Sequence, residues 1–223
     1  MKDHLDPADE ASAAHAASMD RKYRIQRFAY NATRRYFLLG RNEAIAKLDL
    51  QSARHVIEIG CGTGRNIELM QKASPSLAID AIDISSAMLQ SAEARVGRNA
   101  NVRLARADAG TFEPEAVFGR RHYDAVLMSY TLSMIPDWRA ALARGLAAVA
   151  PGGRLVIADF GDFAGFGALK ETAKRALARH QAPPRENLSG ETARIATGIG
   201  QFIVASRPLN LGFNQIIVAV RAG

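Results

Sequence analysis

The period of apolar and polar positions changes along the chain. From Arg54 to about Asp159, short apolar runs alternate with longer stretches whose apolar residues recur at helical spacing, the pattern of parallel strands joined by crossover helices. It predicts strands at about 54–59, 77–82, 101–105, 123–128 and 153–158, with helices at about 65–73, 85–96 and 137–149. The last helix is announced by Pro136-Asp137 and closes before Pro151-Gly152-Gly153. Beyond Gly161 the pattern is fainter. A helix near 166–180, a turn at Pro183-Pro184 and strands near 200–206 and 214–221 complete a doubly wound, mostly parallel seven-stranded α/β sheet. Upstream, Met19 to Leu39 lacks Gly and Pro, starts beside the capping residues Ser18 and Asp20 and stops at Gly40, which predicts a helix of about twenty residues. Asn42 to Leu50 reads as a shorter second helix. The expected division is a mobile tail (1–18), an N-terminal helical lid or membrane-contact segment (19–50) and one α/β domain (51–223), without internal repeats.

With 223 residues and 48% hydrophobic composition, one domain can bury a sufficient core without staples. The lone Cys61 excludes an internal disulfide, and no Cys/His spacing suggests a metal. Residues 1–18 have neither a basic start nor an apolar run, so they resemble neither a signal peptide nor a span, and the chain is expected to be cytoplasmic. Net charge is 29 − 22 = +7, but its placement says more. Met19 to Arg41 carries +6, the first eighteen residues −3, and everything after Arg41 only +4. Positive charge is gathered in the N-terminal helix.

The chemistry concentrates in Val56-Ile57-Glu58-Ile59-Gly60-Cys61-Gly62-Thr63-Gly64-Arg65-Asn66, a buried strand running into a glycine turn and a helix. Such a turn lets backbone approach a ligand, and the helix start offers unpaired N–H groups to a carboxylate. A dinucleotide fingerprint would place a third glycine at position 65, which is Arg65. The pattern Glu-x-Gly-x-Gly-x-Gly instead resembles the first motif of class I methyltransferases. That likeness implies S-adenosylmethionine as cofactor and S-adenosylhomocysteine as product, with Glu58 helping to hold the loop and the amino-acid end of the donor. Asp83, at the end of the second strand, is placed to accept the ribose hydroxyls, or to cap the next helix, a task Ser85 could equally perform. Met88 packs against either the adenine or the core. By resemblance Asp108 accepts the adenine amino group, the alternative being a turn residue. Cys61, Asn66, Ile84 and Ala109 complete the expected cofactor crevice, and Ser129 and Tyr130 should border the sulfonium.

Four blocks carry a narrower likeness: Met19 to Arg27, Thr33 to Arg41, Ser129-Tyr130-Thr131-Leu132-Ser133-Met134-Ile135-Pro136-Asp137-Trp138, and Ala158-Asp159-Phe160-Gly161-Asp162. They resemble bacterial diacylglyceryl-homoserine N-methyltransferases, which implies trimethylation of a lipid headgroup amine to a betaine lipid. Soluble phosphatidylethanolamine N-methyltransferases share a related N-terminal pattern. The first helix also suits a lipid acceptor on its own terms. Ile25, Phe28, Ala32, Tyr36 and Leu39 make one face, Tyr23, Tyr30 and Phe37 the opposite one. Arg27, Arg34 and Arg41 each follow an aromatic by four residues beside that second face, as in helices lying on anionic headgroups. The aromatic stripe could instead pack against a loop or a second subunit.

Tyr23, Arg27, Arg34, Tyr36 and Arg41 are therefore the expected substrate-binding set. Tyr30, Tyr130 and Asp159 are the expected catalytic set, because the attacking amine must be neutral and the alkylated product is a cation that aromatic faces hold. His55, His122 and His180 stand isolated, with His180 an outside candidate base. The expected partners are a lipid headgroup and the anionic inner face of a membrane, with no nucleic acid. A phosphatidylethanolamine or small-molecule methyltransferase, or a noncatalytic donor-binding or RNA-associated protein, are the alternatives; the intact Glu58, glycines and Asp83 argue against the last.

Overall fold

The computed structural model describes residues 39–179 and 182–223. The helix expected at 19–39, and with it Tyr23, Arg27, Tyr30, Arg34 and Tyr36, lies outside the described residues apart from Leu39, as does His180. Helix α1 (Arg41–Ala46) leads into β1 (His55–Ile59), α2 (Arg65–Ala73), β2 (Ala78–Asp83), α3 (Ser86–Val96) and β3 (Val102–Arg106). There follow α4 (Pro114–Phe118), β4 (Tyr123–Ser129), a 3-10 turn (Leu132–Met134), α5 (Trp138–Ala147) and β5 (Val149–Phe160). A second 3-10 turn (Ala164–Leu169), α6 (Lys170–Arg179), α7 (Leu188–Thr197), β6 (Phe202–Leu209), a third 3-10 turn (Asn210–Gly212) and β7 (Asn214–Arg221) complete the domain.

The seven strands order as β3-β2-β1-β4-β5-β7-β6, with only β7 antiparallel to its neighbours. Chain order reverses between β1 and β4, which pair from Val56↔Ala125 to Ile59↔Met128, so a crevice opens above their carboxyl ends. Because side chains alternate along a strand, each central strand feeds two cores. Ile57, Ile59, Val126, Met128 and Ile157 pack beneath α5 and α7 with Trp138, Leu142 and Leu188. Val56, Leu127, Val156 and Ala158 face the other side with Ile67 and Met70 of α2. Ala44, Ile45, Leu48 and Leu50 belong to that second core, so residues 41–50 are packed into the domain itself.

The chain enters this fold at Leu39, whose carbonyl accepts hydrogen bonds from Tyr130 Oη at 2.6 Å and from the buried Asn214 Nδ2 at 2.9 Å. Gly40 follows at φ 80°, where a Cβ would lie 2.7 Å from Asn214 Nδ2, so glycine is required at this entry. Leu39 is thus tied directly over the carboxyl ends of β4 and β5 and the start of β7. Among the described residues no helix is long and apolar enough to cross a membrane.

Candidate functional site

The glycine turn after β1 shows why each of its three glycines is there. Gly60, Gly62 and Gly64 all lie at positive φ. A Cβ on Gly60 would sit 2.5 Å from the Thr131 side chain, and one on Gly64 would press on Ala92 of α3 at 3.1 Å. Gly62 has nothing within 4 Å of that position, so it faces open space. Two glycines are demanded by packing as well as by φ, and the middle one by its φ alone, which leaves its backbone open to a ligand. The turn is held from three directions. Gly60 and Cys61 donate to the Ile82 carbonyl, Thr131 Oγ1 donates to the Ile59 carbonyl at 2.9 Å, and Gly62 N donates to Asp83 Oδ2 at 2.8 Å.

Asp83 also accepts from Ser85 N through its other oxygen at 2.9 Å. The cap of α3 is Ser85, whose hydroxyl accepts from Met88 N, so the alternative left open by the sequence resolves in favour of Ser85 as cap. Asp83 is instead a half-buried carboxylate at the lip of the crevice, anchored by backbone amides. Ile84 lies half-buried beside it, its carbonyl accepting from Arg106 Nε, and Met88 is buried. One strand over, Asp108 Oδ1 accepts from Gly110 N at 2.8 Å, an Asx turn that presents Asp108 and the buried Ala109 at the end of β3.

Glu58 is strongly perturbed. It shares a sheet face with Ser129 and is fully buried, where burial pushes its carboxyl up to about 8 against the bond from Asn66 and the nearby Arg41 charge. Asn66 Nδ2, in the first turn of α2, donates to Glu58 Oε1 at 2.6 Å. Among the described residues the other oxygen, Glu58 Oε2, has no hydrogen-bond partner, nor do the buried Asn66 Oδ1 and Ser129 Oγ. Buried polar atoms are normally satisfied, and orphans gathered under a glycine turn point to a ligand with donors of its own. An α-ammonium fits Glu58 Oε2, and ribose hydroxyls fit Asp83. The crevice thus suits the donor the sequence suggests. Cys61 is buried in the turn and its thiol is driven up by burial, which leaves it protonated and inert.

The expected acceptor-side residues are tied into the scaffold. Tyr130 sits at φ 55° after β4, buried, its hydroxyl donated to Leu39 and its ring edge-on to Phe160 at 5.1 Å. Arg41 lies 5.8 Å from the centre of that ring. Asp159 is fully buried and accepts from Ser133 N at 3.1 Å and Phe160 N at 2.8 Å, and burial raises its carboxyl above the ordinary range. In this geometry Tyr130 and Asp159 set the shape of the rim: Tyr130 ties the N-terminal entry to β4, and Asp159 clamps the 3-10 turn that follows it. Arg185, which sequence reasoning missed, completes the clamp by donating to the carbonyls of Leu132, Ser133 and Ile135. Nothing local in the sequence marks it, since its partners lie fifty residues away. His55 and His122 stand at the opposite, amino end of the strands, held toward neutrality mainly by desolvation. Among the described residues no three His, Cys, Asp or Glu side chains gather as metal ligands.

Residues 57–155 match the family model described as a methyltransferase domain. The chain is 36% identical over 115 residues to the trans-aconitate 2-methyltransferase of Methylobacterium radiotolerans, a match covering 52% of this chain and 41% of that protein. It thus spans less than half of that relative's length. Among solved structures, phosphoethanolamine N-methyltransferase 2 of Haemonchus contortus, in complex with S-adenosyl-L-methionine, aligns with TM-score 0.62 at 22% identity, covering 82% of this chain and 53% of that one. The N-methyltransferase NodS of Bradyrhizobium japonicum, in complex with S-adenosyl-L-homocysteine, aligns with TM-score 0.59 at 19% identity over 82% and 85%. At these identities the structures speak for the fold.

Proposed function

We propose that this chain, whose residues 57–155 match a methyltransferase-domain family model, uses S-adenosylmethionine to methylate the amino group of a lipid headgroup, diacylglyceryl-homoserine. The observation that carries the donor half is the set of orphaned buried oxygens beneath an open glycine turn, with Asp83 one strand away. Support for the acceptor half comes from the four sequence blocks and from the basic stretch of sequence that leads into Leu39, whose carbonyl is bonded to Tyr130 beside the crevice. An anionic inner membrane face would then be where the protein works, without crossing the bilayer.

When bound, the donor supplies a methyl carbon activated by sulfonium, so the protein's main task is alignment. Glu58 and Asn66 hold the ammonium end, Gly62 leaves room for the backbone approach, and Asp83 orients the sugar. Ser129 and the clamped turn after it border the reacting centre. The acceptor amine loses its proton to solvent or to a group supplied by the N-terminal segment, since Tyr130 and Asp159 are committed to backbone partners. Tyr23, Tyr30 and Tyr36 are the aromatic faces available to a methylated cation, each worth about 0.5–2 kcal/mol.

A second reading has its own support: the curated relative named above is a trans-aconitate 2-methyltransferase, whose acceptor is a small carboxylic acid. Incubating the protein with methyl-labelled donor and, separately, diacylglyceryl-homoserine, phosphatidylethanolamine, phosphoethanolamine and trans-aconitate discriminates these. Label in the homoserine lipid is expected. Label confined to trans-aconitate would replace the lipid reading with the carboxylate one.

A further inference from the structure

Two 3-10 turns meet at the carboxyl edge of the sheet, and they are unusually apolar for a surface. The turn after β5 reads Ala164-Gly165-Phe166-Gly167-Ala168-Leu169, without one polar side chain and without one fully buried residue. Leu169 is 67% exposed. The turn between β6 and β7 packs against it, with Leu211 Cβ 2.7 Å from where a Gly165 Cβ would lie. Leu211 is 73% exposed and sits at φ 59°, a left-handed conformation that costs a leucine about 1–2 kcal/mol. Strain that presents an apolar side chain to water calls for a partner.

The partner's chemistry is written in α6, which begins at the next residue. Lys170, Lys174, Arg175 and Arg179 stand against Glu171 alone, a balance of 4 − 1 = +3 in ten residues. Thr172, Arg175, Ala176 and Arg179 form its exposed face at spacing i, i+3, i+4, i+7, continuous with Leu169, while Ala173 and Leu177 turn inward. Lys174 faces Glu171 and Glu186 at 3.9 and 3.8 Å and is accounted for within the protein. Among the described residues Arg175 Nε donates to the Glu171 carbonyl and its guanidinium forms no ion pair, and Arg179 is exposed.

We propose that Leu169 and Leu211, with Arg175 and Arg179, form a docking surface for an anionic phospholipid bilayer. Apolar tips beside exposed arginines fit an interface of acyl chains and acidic headgroups. A second copy of this chain fits poorly, because a twofold contact through this face would bring the arginines together. The inference deepens the lipid reading above and rests on it only for the identity of the acceptor.

The test is partitioning of the full chain onto phosphatidylcholine vesicles with and without 30% phosphatidylglycerol, at about 0.1 M salt. Binding is expected on the anionic vesicles. At about 1 kcal/mol per basic residue, R175Q/R179Q should weaken partitioning about 30-fold. L169S/L211S should weaken it on the same vesicles, and calorimetry with S-adenosylhomocysteine should give unchanged affinity for both variants, reporting an intact fold. Equal partitioning by wild type and R175Q/R179Q, or a change in oligomeric state of L169S/L211S with vesicle binding intact, would overturn the proposal. Because vesicle binding and donor binding are read separately, loss of one does not implicate the other.

Discussion

The Glu58 carboxyl provides the sharpest test of the donor site, because the structure ties its charge to occupancy. Burial pushes its pKa up to about 8, so without a ligand only about one molecule in eleven is ionised at pH 7. An ammonium seated on the partnerless Glu58 Oε2 requires the carboxylate, and binding therefore expels the proton. Affinity should rise with pH by about tenfold per unit where Glu58 is mostly protonated, and by about 25-fold between pH 6 and 7.5. The ligand's α-ammonium is held higher by the carboxylate on the same carbon and stays protonated across this range, so the profile isolates the protein group. Titration calorimetry with S-adenosylhomocysteine, which avoids turnover, should show release of about 0.9 proton at pH 7 when repeated in buffers of different ionisation enthalpy. Glu58→Gln should flatten the profile and weaken binding at pH 7.5. The same shift has a stability sign: the folded pKa is raised, so its contribution is fully present below about 4.5 and is lost as pH rises through 8 in the unliganded protein. A flat affinity profile in the wild type, or an equal slope in Glu58→Gln, refutes the assignment of the ammonium to Glu58.

Three further outcomes follow from the same geometry. Gly60→Ala places a methyl against Thr131 at 2.5 Å as well as straining φ, and should lower stability by clearly more than Gly62→Ala, whose cost is the roughly 1–2 kcal/mol of a left-handed alanine; thermal melts rank them, while calorimetry should show Gly62→Ala losing donor affinity beyond its loss of stability. Tyr123→Phe removes a 2.7 Å hydrogen bond from Tyr123 Oη to the buried Asp80 Oδ2, also gripped by Arg103, and should cost about 1–2 kcal/mol of stability with donor affinity intact, since this network lies on the far side of the sheet from the glycine turn. Tyr130→Phe should leave the pH profile of turnover unshifted, because the hydroxyl is donated to Leu39 rather than offered to the acceptor; a lost basic limb in that profile would restore Tyr130 as a proton acceptor.

What the sequence revealed and what it hid divide along physical lines. Strands β1 to β4 and helices α2 and α3 are legible within about two residues, because each obeys one period and is bounded by glycine, proline or a capping side chain. Strand β5 starts earlier than its apolar run predicts. Val149 pairs with Tyr123 and Arg154 with Ala125, so the Pro151-Gly152-Gly153 stretch is an irregularity inside the strand rather than its boundary. Helix α4 escaped notice because it has five residues, and α7 because Gly190 and the preceding Asn187 look like turn chemistry. Long-range polar contacts were invisible for a different reason. Asp80 with Tyr123, and Arg185 with the turn at 132–135, join residues more than forty positions apart, and only the fold brings them together.

The same division explains how the site is organised. Local sequence specifies the donor half, because a glycine turn and the helix behind it are one continuous stretch whose backbone makes the contact. The rim of the crevice is assembled from Tyr130, Asp159, Arg185 and Asn214, far apart in the chain, and each makes a hydrogen bond to a backbone group. Such residues fix where a rim stands without touching what enters it, so substrate choice falls to whatever is mounted there. Here the mount is Leu39, held by two hydrogen bonds at the crevice mouth. A fold shared with methyltransferases of different acceptors can therefore keep its donor chemistry constant while an attached segment decides the substrate. Exchanging residues 1–38 should then alter which acceptor is methylated, whereas Gly62→Ala, at a position with nothing within 4 Å of where a Cβ would lie, should lower donor affinity and leave acceptor choice unchanged.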